Sequence, residues 1–60
     1  MNVYEATIDF ILSATTLREL EKIEATVDWL ADQRELTPRQ TVNLDKFLVQ
    51  QHYLIELGAK

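Results

Sequence analysis

A single glycine, Gly58, and a single proline, Pro38, punctuate this chain of 60 residues. Turn-rich all-β folds need more breaks than that, because tight turns depend on Gly, Pro, Asn and Asp. Long helices do not. Cysteine is absent and histidine occurs once, as His52. A domain of this size buries only about 60% of the surface its unfolded chain exposes. Chains so small usually add disulfides, a metal or a second subunit. Without cysteine, disulfides and thiolate metal sites are excluded, and one histidine speaks against an imidazole site. Tight helix packing or oligomerisation remains. With 47% hydrophobic and 27% charged residues, the composition is globular, and 1–60 reads as one small helical domain.

Two helix starts are marked. Thr16-Leu17-Arg18-Glu19 reads as a capping box, a hydroxyl at the N-cap and a carboxylate three residues on. Thr37-Pro38-Arg39-Gln40 is a second, with proline at the first helical position, where a missing N–H costs nothing. Gly58 follows the last apolar residue, Leu57, as a C-terminal cap does, and Lys60 suits the helix dipole there. The pattern predicts helices over about 17–34 and 38–57. The short connection around Glu35-Leu36-Thr37 makes them antiparallel neighbours.

Residues 3–14 admit two readings. On a helix, Val3, Thr7, Phe10 and Ala14 share a face, with Ile11 beside them. As a strand, Tyr4, Ala6, Ile8, Phe10 and Leu12 alternate with Glu5, Thr7 and Asp9. A lone strand has nothing to pair with, which favours the helix. The expected fold is therefore all-α: an antiparallel helical hairpin with a short N-terminal helix over about 3–13, assembled as a dimeric bundle.

In the first hairpin helix, Leu20, Ile23, Val27 and Leu30 alternate in steps of three and four, as a coiled-coil seam does. In the second, Leu44, Phe47, Leu48, Leu54 and Ile55 make the matching stripe, with Gln51 in its middle. A polar residue there either fixes register or partner number, or reaches out to water or a backbone group.

Some apolar residues fall outside these stripes. At about 100° per residue, Trp29 points about 140° away from its helix's seam. Val42, Val49 and Tyr53 form a second stripe on the last helix, nearly opposite the first. Either residues 3–12 cover these side chains or a second subunit or partner does. We assign Val42, Val49 and Tyr53 to a homodimer interface. Trp29 is assigned to a partner-binding surface, since Trp is enriched at interface hot spots. Glu21, Glu24, Asp28, Asp32 and Glu35 fall within about 80° of one another beside it. This acidic stripe either docks a basic partner or serves as a solvated face that keeps a small protein soluble.

Catalytic chemistry finds little footing. One histidine and no cysteine assemble no nucleophile–base–orienter set. The only glycine, Gly58, makes no phosphate loop, and no cofactor is expected. His52 and Glu56, one turn apart, supply half a metal site at most and fit a helix-surface hydrogen bond better. The expectation is a chain that is not an enzyme.

Charge narrows the partners. Six basic against ten acidic residues give a net charge of -4, a poor balance for gripping phosphates or anionic membranes. The basic residues Arg18, Lys22, Arg34, Arg39, Lys46 and Lys60 are scattered. A strand followed by two helices is also the layout of ribbon-helix-helix DNA-binding regulators, which insert paired strands into the major groove. Here that strand would aim Glu5, Thr7 and Asp9 at DNA, two of them acidic. The longest apolar run, Phe10-Ile11-Leu12, is too short to span a bilayer. The opening MNVYEATIDF has no basic segment ahead of its apolar part, so a signal peptide is not expected and a cytoplasmic location is.

The run Ser13-Ala14-Thr15-Thr16-Leu17-Arg18-Glu19-Leu20-Glu21, then Glu35-Leu36-Thr37-Pro38-Arg39-Gln40 and the ending Leu54-Ile55-Glu56-Leu57, carries a resemblance. Together they resemble the small helical accessory proteins of lambda-type phage early regions, encoded between recombination and excision genes. The resemblance implies a modulator of the choice between lysis and lysogeny or of host replication. It would act on a host or phage protein in the host cytoplasm.

Overall fold

A computed structural model describes residues 2–58. Three helices fill it: α1 (Val3–Ser13), α2 (Leu17–Asp32) and α3 (Pro38–Glu56). They take up 81% of the described residues, among which no strand occurs. The strand alternative for 3–12 is thereby set aside, and with it the ribbon that a strand-helix-helix regulator would insert.

Each helix starts at a side-chain cap. Asn2 accepts the Glu5 backbone N–H at 2.8 Å and opens α1. The Thr16 hydroxyl accepts from Glu19 N, while the Glu19 carboxylate returns the bond to Thr16 N, so the first expected capping box is closed. Thr37 and Gln40 do the same for α3, with Pro38 at its first position. These bonds satisfy N–H groups that the helix itself leaves without acceptors.

The two long helices stop slightly short of the expected ends, at Asp32 and Glu56. After α2, Arg34 N donates to Ala31 O and Glu35 N to Leu30 O, the paired bonds of a Schellman motif. Arg34 takes the left-handed position there, at φ 61°. After α3, Gly58 takes the same conformation at φ 70°, as its place behind Leu57 foretold. The expected charge of Lys60 on the dipole lies outside the described residues.

The core is made by Ile11 and Ala14 from the first helix and its cap, Leu20 and Val27 from α2, Leu36 from the connection, and Leu44 and Leu48 from α3. Ile11 and Leu44 are wholly buried. Thr7 is buried among them without cost to its hydroxyl, which donates to the Val3 carbonyl oxygen at 2.7 Å.

The inward face of α1 is rotated from the expected one. Val3 and Phe10 are exposed, and the packed residues are Tyr4, Thr7, Ile8 and Ile11. Tyr4, Ile8 and Ile11, spaced i, i+4, i+7, make a second apolar stripe on α1, and that one packs on the core. Leu54, expected in the α3 stripe, lies at its edge and is 40% exposed. Its neighbours Phe47 and Ile55 pack against the core as expected.

Two polar contacts fix α1 against α3. Asn43 Nδ2 lies 3.4 Å from the Tyr4 hydroxyl, and Gln51 Nε2 donates to the Ala14 carbonyl oxygen at 3.0 Å. They join start to start and end to end, so α1 and α3 run in the same direction. α2 packs against both. Of the two roles weighed for Gln51, the structure records the bond to a backbone group.

Candidate interaction surface

Trp29 stands on the outer side of α2, 59% exposed, while Leu20 and Val27 of the same helix are buried. Its side chain completes no part of the core. Thr26 and Lys22, its neighbours one and two turns back along α2, line a groove between α1 and α2. Val3, Ala6 and Phe10 form the groove's other wall, with Ile23 and Leu30 at its base. Phe10 is 66% exposed there. The groove sets Phe10 of α1 across from Lys22 and Thr26, the residues that precede Trp29 on that side of α2. Of the face that Phe10 shares with Val3, Thr7 and Ala14, only Thr7 and Ala14 are buried.

Glu21, Glu24, Asp28, Asp32 and Glu35 are all exposed. Among the described residues none of them is in an ion pair; the one recorded contact of that kind joins His52 Nδ1 and Glu56 Oε1 at 3.4 Å. The stripe thus presents unneutralised carboxylates alongside the Trp29 face.

On α3, Val42, Val49 and Tyr53 are exposed by 53%, 70% and 61%. α1 lies on the Tyr4–Asn43 and Ala14–Gln51 side of that helix and leaves them uncovered. Exposed apolar side chains thus stand on the outer sides of both α2 and α3, besides Leu12, Leu54 and Leu57 near the ends of α1 and α3.

Glu19 is held below the ordinary carboxylate value, first by the Thr15 backbone N–H at 2.8 Å, then by the Thr15 hydroxyl and the Thr16 bonds. This is a helix-capping role. His52 and Glu56 form the helix-surface contact their spacing suggested. Among the described residues no three of His, Asp and Glu gather closely enough to hold a metal ion. No helix among them is long and apolar enough to cross a membrane.

Compared with known proteins, the chain matches no family model, and neither a curated protein nor a solved structure resembles it significantly.

Proposed function

We propose that the chain is a non-catalytic protein–protein interaction module. α2 and α3 act as an antiparallel hairpin, buttressed by α1, that displays binding faces. The observation that carries this reading is Trp29: the largest side chain in the protein is mostly in water, although the core closes without it. Leaving a large apolar side chain exposed forgoes about 1.5–3 kcal/mol that burial would return. Interfaces are where such side chains recover that energy. Trp29 with Glu21, Glu24, Asp28 and Asp32 makes an aromatic anchor beside an acidic stripe, suited to a host or phage protein with a basic rim. Val42, Val49 and Tyr53 serve self-association into a homodimer. The resemblance to lambda-type phage early proteins supports an accessory role in phage or host development, exercised in the host cytoplasm.

Affinity capture from host lysate, with wild type and Trp29→Ala side by side, tests the reading. The variant is expected to lose the captured protein and to keep its melting temperature nearly unchanged. An unfolded variant places Trp29 in a core role and overturns the proposal, as does a folded variant that captures the same protein equally well.

A further inference from the structure

The outward face of α3 sets charged residues in line with its three apolar ones. Arg39, Val42, Lys46, Val49, Tyr53 and Glu56 follow one another in alternating steps of three and four, and all six are exposed. That rhythm is the a/d seam of a coiled coil. It runs nearly the length of a 19-residue helix, about 28 Å at 1.5 Å per residue.

We propose that this seam pairs with the α3 seam of a second copy of the chain in antiparallel orientation, with Arg39 of one copy opposite Glu56 of the other. The inference rests on the self-association reading above and adds its direction and register. Charge decides between the two orientations. A parallel, in-register pair sets Arg39 on Arg39, Lys46 on Lys46 and Glu56 on Glu56, three layers of like charge. Reversing one helix brings first-type positions opposite second-type positions. Arg39 then faces Glu56 at both ends of the interface, Val42 faces Tyr53, and the stem of Lys46 lies over Val49 with its ammonium reaching water. Opposite charges replace like charges, and the aromatic ring meets an aliphatic partner. A lysine in a seam weakens association while restricting register and partner number.

Sedimentation equilibrium of the full chain at low salt tests this, using Arg39→Glu, Glu56→Arg and the two combined. Arg39 lies in the first turn of α3 and Glu56 is its last residue. Both reversals move charge to the end where the helix dipole favours it, which offsets the loss of the exposed His52–Glu56 contact in Glu56→Arg. Circular dichroism checks that helix content is kept. Wild type is expected to dimerise. Each single reversal turns two attractive end pairs into repulsive ones and is expected to raise the dimer Kd about tenfold, and the double reversal to restore it. A wild-type dimer indifferent to both single reversals overturns the antiparallel register and leaves self-association standing. A wild-type chain that stays monomeric at high micromolar concentration overturns both.

Discussion

The side-chain amide of Gln51 donates to the carbonyl oxygen of Ala14 at 3.0 Å, across 37 positions of sequence. Ala14 is the C-cap of α1, where helical carbonyls lack intrahelical partners. Gln51 supplies one from the adjacent helix and so fixes the axial position of α1 on α3.

Loss of that amide should therefore loosen α1. Gln51→Ala is expected to cost about 1 kcal/mol, the usual net worth of such a bond. In a domain this small that lowers the melting temperature by about 4–8 °C. Gln51→Leu separates packing from hydrogen bonding, because it keeps volume and apolar contact while removing the donor. Thermal unfolding should show both variants destabilised; a Leu variant as stable as wild type would show that the bond contributes nothing.

Buried and exposed large residues should respond in opposite ways. Leu44 is 0% exposed and Phe10 is 66% exposed. Leu44→Ala removes core contact and leaves a cavity, at a cost of about 2–5 kcal/mol. A single core in so short a chain rarely supplies more than about 3–5 kcal/mol in all, so that variant should be largely unfolded at room temperature. Phe10→Ala should fold and melt close to wild type. Far-ultraviolet circular dichroism distinguishes the two outcomes, and an unfolded Phe10→Ala would return that ring to the core.

Much of this architecture is legible in the residues, and the places where it is not share a cause. Thr16, Glu19, Thr37, Gln40 and Gly58 are local signals, each acting within a few residues, and each acts as its spacing implies. Asn2 was equally local, three residues ahead of Glu5, and was available to the same reasoning. The facing of α1 was not local. Its eleven residues carry apolar side chains on more than one side, so rotation is decided by what α2 and α3 leave open. The exposure of Trp29, Val42, Val49 and Tyr53 followed from their angles to the seams. The groove that sets Phe10 of α1 across from Lys22 and Thr26 of α2 joins two helices, and no single-helix count contains it.

Arg34 offers a route to a more stable protein. It holds φ 61° at the end of α2, a left-handed conformation that costs a residue with a Cβ about 1–2 kcal/mol. Glycine adopts it freely but loses more backbone entropy on folding, which offsets part of the gain. Arg34→Gly is expected to stabilise by about 0.5–1 kcal/mol, seen as a rise of a few degrees in melting temperature. Arg34→Val should do the reverse, since β-branching makes that region still less accessible. A glycine variant that melts below wild type would mean that the arginine side chain contributes more than its backbone strain costs.

Glu19 gives the fold a defined acid dependence. Its carboxylate accepts the Thr15 backbone N–H first of all, with the Thr15 hydroxyl and Thr16 N adding to it, and these bonds hold its pKa below the ordinary 4.5. Because the folded value is lower than the unfolded one, the unfolded chain binds this proton more readily. The contribution of the ionised cap is fully present above pH 4.5 and declines as the pH falls from there through the folded value. Glu19→Gln retains an acceptor but cannot titrate. Urea unfolding at a series of pH values should show wild type losing stability across that acidic window more steeply than the Gln variant, with the two curves parallel near neutrality. Identical slopes throughout would mean that the capping carboxylate is not coupled to folding.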